Sequence, residues 1–199
     1  MFHKVSRISR ILHENRFLVH SGYSDFTREA LKNAERLEND IYVLLVGANL
    51  NDPKQQISEA LKRFKKEING SVIVSSLFRS EAWGFDSELY FLNQVWICRS
   101  EKSPLTMLNF IKGIEHEMGR VKTQSERYES RLIDIDILFK GNSVIDFPEL
   151  QIPHPLIYKR KFTTVPLSEL IPNFNHPVLN QKMFQLNDVL TDQVDRLED

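Results

Sequence analysis

The chain has a single cysteine, Cys98. That excludes an internal disulfide framework and a multi-thiolate zinc site. Cys98 lies in the apolar run Val95-Trp96-Ile97-Cys98 and reads as an inert core thiol. Net charge is also scarce: 26 Lys and Arg stand against 27 Asp and Glu, leaving −1. The molecule as a whole is therefore no polyanion binder, and any anion site must be a local cluster. There is no apolar run near the roughly 20 residues that cross a bilayer, no internal repeat and no low-complexity linker. A soluble protein of a reducing compartment is the expectation, with the cytoplasm as the expected location and no membrane partner. What is present, 199 residues with 41% hydrophobic and 27% charged, suits one globular domain with a substantial core and an appendage.

The appendage is expected at residues 1–40, probed first by charge. Lys4, Arg7, Arg10 and Arg16 stand against one acid, Glu14, and Met1, Val5, Ile8 and Leu12 fall near helical spacing. The continuous apolar core of a secretory signal is missing. An amphipathic extension that packs on the domain or on a partner is the favoured reading. An organellar transit segment over residues 1–20 is the alternative, because arginine and serine are enriched and acids are few. Residues 25–38 (DFTREALKNAERLE) read as a helix capped by Ser24 or Asp25.

The main domain is expected over residues 41–199. Ile41–Val46 reads as a strand. Asp52-Pro53-x-Gln55 is a helix start, with an acceptor at the cap and proline at the first helical position. Ile57, Leu61, Phe64 and Ile68 form the buried stripe of that helix. Residues 71–79 read as a second strand and 90–98 as a third. Ser103-Pro104 opens a second helix with Leu108, Ile111, Ile114 and Met118 inward, ended by Gly119. A charged loop covers 120–130, and Arg131–Phe139 is the fourth strand. The order βαββαβ is the α+β, ferredoxin-like split pattern: an antiparallel sheet with helices on one face. The tail adds a proline-rich loop, a short helix near 166–171 and a last helix near 181–190.

The fourth strand carries the chemistry. Strand side chains alternate between faces, so Asp134 and Asp136 point the same way, with Cα atoms roughly 6.5–7 Å apart. Two like charges on a half-buried face repel and lose hydration. A divalent cation with oxygen ligands resolves that, and Mg²⁺ often binds one or two carboxylates together with substrate phosphates. Arg120, Lys122, Arg127 and Arg131 precede the pair, and arginine forks suit phosphate oxygens. Carboxylates and cations together match a metal–polyphosphate site. His154 and Arg160 follow it. In the third strand Asn93 shares a face with Phe91 and Val95. A buried amide there satisfies neighbouring backbone or reads the edge of a planar heterocycle stacked on an aromatic ring.

Six motifs then occur in order: Gly47-Ala48-Asn49-Leu50, Val74-Ser75-Ser76-Leu77-Phe78-Arg79-Ser80, Phe91-Leu92-Asn93, Arg131-x-x-Asp134-Ile135-Asp136, Pro153-His154-Pro155 and Pro166-Leu167-x-Glu169-Leu170-x-Pro172. Together they resemble the 6-hydroxymethyl-7,8-dihydropterin pyrophosphokinases of folate biosynthesis over roughly residues 41–190. The resemblance implies transfer of the β,γ-pyrophosphoryl group of ATP to the pterin hydroxymethyl oxygen, with AMP released. It implies ATP as co-substrate and two Mg²⁺ ions on Asp134 and Asp136. Arg120, Lys122 and Arg131 join the aspartates as catalytic residues. Glu115, Arg127, Ile137, His154 and Arg160 fall on the nucleotide side. Gly47, Ser80, Trp83, Phe91, Asn93, Tyr128 and Phe162 fall on the pterin side, and 80–90 and 120–130 form two lids. Glu129-Ser130 stands where the family usually has Gly-Pro, which adds an acid and removes a backbone constraint. A monomer is expected, with a folate-pathway partner reached through residues 1–40 and no nucleic acid. The alternative is a non-catalytic nucleotide-binding or scaffold protein that retains the fold.

Overall fold

The computed structural model describes residues 26–68, 70–120 and 129–198. The first element, α1 (Arg28–Asn33), is shorter than the sequence pattern predicts. Thr27 supplies the cap, its hydroxyl accepting the Ala30 N–H at 3.1 Å. The chain turns extended at Ala34. The expected caps, Ser24 or Asp25, lie outside the described residues, as does the basic segment before them. Leu31 and Leu37 are buried with residues of the sheet.

β1 (Ile41–Ala48) is buried along its whole length, as a near-continuous apolar run requires when both faces are covered. α2 (Pro53–Glu67) starts as the spacing predicts, with Asp52 Oδ1 accepting the Gln55 N–H at 3.1 Å. The expected second strand is two: β2 (Val72–Val74) and β3 (Phe78–Ser80). Serine side chains make the break. Ser75 Oγ accepts the Val95 N–H at 2.9 Å, and the Ser76 N–H turns to the Glu169 carboxylate at 3.0 Å. Side chains thus replace ladder bonds over an otherwise apolar stretch. β4 (Phe91–Arg99) pairs with both pieces. α3 (Pro104–Glu117) is capped by Ser103, and Gly119 takes the left-handed conformation (φ 91°) that ends it.

β5 (Asp134–Lys140) closes the set. Gly141 turns the chain after it at φ 51°, with the Glu38 backbone oxygen only 2.7 Å from where a Cβ would stand, so no larger residue fits. β6 (Ile145–Phe147) and β7 (Leu150–Ile152) form a hairpin. A 3₁₀ turn (Ile157–Lys159) leads into α4 (Lys161–Leu170), which begins five residues earlier than expected and holds Pro166 inside it. α5 (Met183–Asp188) falls in the expected region. β8 (Val194–Arg196), unforeseen, adds to the free edge of β3.

The sheet order is β5-β1-β4-β3-β8 with antiparallel neighbours, and β2 also on β4. Counting β2 and β3 as one strand gives the ferredoxin-like order. The two crossover helices lie on one face, over Tyr42, Leu44, Val46, Trp96, Ile135 and Ile137. On the other face α1, the 3₁₀ turn, α4 and α5 cover Val43, Val95, Ile97 and Phe139. A bulge between Val43 and Leu44 in the pairing with β5 lets both Leu138 and Phe139 join that second cluster. The remainder of the second face stays open, and it carries the polar residues. Among the described residues no helix is long and apolar enough to cross a membrane.

His176 gives this second layer a pH dependence. Its Nδ1 accepts the N–H groups of Val178 and Leu179, both at 3.2 Å, and its ring meets Phe139 edge-on at 5.5 Å. Burial pushes its pKa down to about 4. Between that value and the ordinary 6.5 the unfolded chain binds a proton that the folded chain does not. Stability is therefore lost as pH falls from 6.5 towards 4, by roughly 3 kcal/mol in all. His176→Asn keeps an acceptor without the titration. Urea unfolding at pH 7 and pH 4 is expected to show a smaller acid loss in the variant; an equal loss would contradict the assignment.

Candidate active site

Register builds the site. Gly47 of β1 lies opposite Asn93 of β4 on one side and Asp134 of β5 on the other. One step along, Leu45 lies opposite Val95 and Asp136. Directly paired residues share a face, so an amide, a bare glycine and a carboxylate form one row. The glycine matters: a Cβ at position 47 would stand 3.2 Å from Asn93 Oδ1, tight enough to displace the amide. Asn93, 3% exposed, donates through Nδ2 to Ser80 Oγ at 2.9 Å. Phe91, two residues earlier on the same face, meets Phe85 edge-to-face at 6.2 Å.

The opposite wall comes from the start of α4. The Arg160 guanidinium lies 4.5 Å from the Trp83 ring centre and 5.7 Å from that of Phe162. Floor and walls enclose a cavity of about 260 Å³, at the small end of ligand pockets and suited to one fused-ring heterocycle.

The far end of the cavity is ionic. Arg120 Nη1 reaches Asp134 Oδ1 at 2.5 Å, Arg131 pairs with Oδ2, and Lys112 Nζ is 3.9 Å away. Burial pushes the Asp134 carboxyl up, but Lys112, Arg120 and Arg131 outweigh it and hold it below the usual range. Burial and the neighbouring Asp134 charge push Asp136 up instead. His154 sits beside it, Nε2 to Oδ2 at 4.0 Å. Its backbone N–H is tied to the Leu138 carbonyl at 3.0 Å, and its Nδ1 accepts the Leu156 N–H at 3.2 Å. Burial lowers the His154 pKa despite Asp136, favouring a neutral ring with its proton on Nε2.

The sequence-predicted residues Gly47, Ser80, Trp83, Phe91, Asn93 and Phe162 all line this cavity. So do Arg131, Asp134, Asp136, His154 and Arg160. Arg120 joins through Asp134. Two others, expected on the nucleotide side, do not line this cavity. Ile137 is one residue out of phase with the aspartates and is buried against the crossover helices. Glu115 is 2% exposed, in the core under β5. Its carboxylate accepts the Ile135 N–H at 2.6 Å and pairs with Arg120 at 2.6 Å and Lys112 at 2.9 Å. Desolvation raises its pKa. It is a strut between the two aspartates rather than a lining group. Lys122, Arg127 and Tyr128 lie outside the described residues, as does most of the second expected lid.

Leu45 and Leu156, which sequence reasoning did not single out, also line the cavity, together with Glu81 and Phe85 of the first expected lid and Glu129. Leu45 was within reach, being two residues before Gly47 on the same face. Among the described residues no third His, Cys, Asp or Glu completes a metal-binding group with the two aspartates. An ion held there would take its other ligands from water or a bound anion, and two hard oxygens suit Mg²⁺.

The sequence pattern of the family 7,8-dihydro-6-hydroxymethylpterin-pyrophosphokinase (HPPK) matches residues 43–172. The 2-amino-4-hydroxy-6-hydroxymethyldihydropteridine pyrophosphokinase of Porphyromonas gingivalis is 38% identical over 139 residues, 69% of this chain and 94% of that protein. The folic acid synthesis protein FOL1 of Dictyostelium discoideum is 37% identical over 150 residues, 74% of this chain and 22% of that protein. The chain thus spans about a fifth of that longer relative. Among solved structures, wild-type Plasmodium falciparum HPPK-DHPS with SDX-DHP superposes with a TM-score of 0.60 at 18% identity, covering 79% of this chain and 45% of that one. That likeness speaks to the fold.

Proposed function

Because the chain belongs to the 7,8-dihydro-6-hydroxymethylpterin-pyrophosphokinase family, we propose that it is an ATP-dependent pyrophosphokinase of folate biosynthesis. It transfers the β,γ-pyrophosphoryl group of ATP to the hydroxymethyl oxygen of 6-hydroxymethyl-7,8-dihydropterin and releases AMP. The observation that carries this reading is the row Asn93–Gly47–Asp134. Neighbouring strands are about 4.8 Å apart, so amide and carboxylate stand roughly 10 Å from each other on one face. That span suits a bicyclic ring whose edge meets Asn93 and whose substituent points at the anionic end.

In this arrangement Phe91 and Phe162 stack on the pterin, Asn93 bonds its amide edge, and Gly47 leaves room for the ring to lie flat on the sheet. Ser80 orients Asn93 through the bond to its amide nitrogen. Trp83 closes the pocket against Arg160. Arg131, Arg120 and Arg160 face the phosphates, and His154 donates from Nε2 to a phosphate oxygen. Lys122, Arg127 and Tyr128 are assigned to the same ends by the sequence resemblance. Asp134 and Asp136 would hold two Mg²⁺ ions, which when bound would supply charge neutralisation at the polyphosphate. The chain's own contribution is placement. It aligns the hydroxymethyl oxygen with the β-phosphorus and surrounds the developing charge with cations already fixed in position. No protein nucleophile is needed.

Glu115 acts one layer below, holding Arg120 and the β5 backbone. The protein is proposed to act as a monomer in the cytoplasm, with a folate-pathway partner reached through residues 1–40. Incubation with Mg-ATP and the pterin is expected to yield AMP and no ADP on anion-exchange chromatography. ADP, or no turnover at high enzyme concentration, would count against pyrophosphoryl transfer.

A further inference from the structure

Arg131 lines the cavity and pairs with Asp134, yet it precedes β5, which starts at Asp134. No sheet ladder holds its backbone. Asn49, just past the end of β1, does so. Its Oδ1 accepts the Arg131 N–H at 2.6 Å, and its Nδ2 donates to Ser130 Oγ at 2.9 Å. The backbone N–H groups of Asn49 and Leu50 both donate to the Arg131 carbonyl, at 3.0 and 3.3 Å. Residues 130–131 are thus tied at four points to the strand end that carries Gly47.

Asn49 is 3% exposed and does not line the cavity. An amide suits the place because one donor and one acceptor are needed from a single short side chain. Ser130 supplies the acceptor for the donor half. At this position the chain recovers, by a side-chain bond, a restraint that a proline would have imposed through its ring.

We propose that Asn49 is a positioning residue that fixes Arg131 against the cavity, resting on the proposed function for the consequence in catalysis. Asn49→Asp keeps an acceptor for the Arg131 N–H and lets the Ser130 hydroxyl rotate to donate, so it preserves both bonds. Asn49→Ala keeps neither.

The test joins hydrogen exchange of the peptide over residues 129–133 with steady-state kinetics. For Asn49→Ala, exchange at Arg131 is expected to rise about tenfold or more. The kcat is expected to fall by about 10- to 100-fold, while the pterin KM stays within about threefold because the stacking pocket is untouched. Asn49→Asp is expected within about threefold of the wild type on each measure. Ser130→Ala, which removes one of the four ties, is expected to give a smaller loss of the same kind, and it decides the matter if alanine at 49 prevents folding. Unchanged protection in the alanine variants, lost protection with an unchanged kcat, or an Asn49→Asp as damaged as Asn49→Ala would overturn the proposal. A wild type that makes no AMP would overturn the proposed reaction and leave the clamp to be decided by exchange alone.

Discussion

Asp136→Ala is expected to cut AMP release by about 10³-fold or more while leaving the protein folded. The two halves of that result come from one geometry. Asp136 faces the cavity from β5, with its carboxyl pushed up by burial and by the Asp134 charge. Among the described residues its ion-pair partner is His154, at 4.0 Å. Removing it relieves the repulsion with Asp134 and breaks no short ion pair among the described residues, so thermal stability is expected to hold or rise. Asp134→Ala should be as inactive but less stable, because Arg120 and Arg131 lose their shared carboxylate. Circular dichroism melts beside single-turnover rates separate the two variants. A rate within about tenfold of the wild type for Asp136→Ala would remove the aspartates from the reaction.

The largest loss of stability is expected at Glu115. Its carboxylate accepts the Ile135 N–H and pairs with Arg120 and Lys112 from a nearly inaccessible position. Glu115→Ala leaves a buried N–H without its acceptor and a half-buried guanidinium short of one carboxylate. Such losses cost about 3–5 kcal/mol. Glu115→Gln keeps one acceptor oxygen and is expected to cost less. Activity should fall in both, because Ile135 lies between the two aspartates and Arg120 bonds one of them. Equilibrium urea unfolding measures the difference. A loss under about 1 kcal/mol for alanine would mean that β5 is held by its ladder alone.

These expectations mark where the sequence was readable. Period two put Asp134 and Asp136 on one face, and the same rule puts Ile137 on the other, against the crossover helices. The caps at Asp52 and Ser103 were legible because each is local: an acceptor, a proline and an N–H three residues on. The break between β2 and β3 was not, because Glu169, 93 residues away, receives the Ser76 N–H. β8 is three residues long, too short for alternation to register. In the site, the residue types were legible but the row was not. That Gly47 stands between Asn93 and Asp134 depends on the register of three strands. The resemblance implies a nucleotide-side role for Glu115, while its depth under β5, which the sequence does not show, makes it a strut. Glu129-Ser130 reads as a weakened restraint until Asn49, 81 residues away, is found on Ser130.

The most direct measurement is phosphorus NMR of the pterin product made from Mg-ATP labelled in its β- and γ-phosphates. Transfer of the pyrophosphoryl group predicts one product, a diphosphate ester on the hydroxymethyl oxygen carrying both labels, with unlabelled AMP in equal amount. A monophosphate ester with labelled ADP, or labelled inorganic diphosphate with an unmodified pterin, would contradict it.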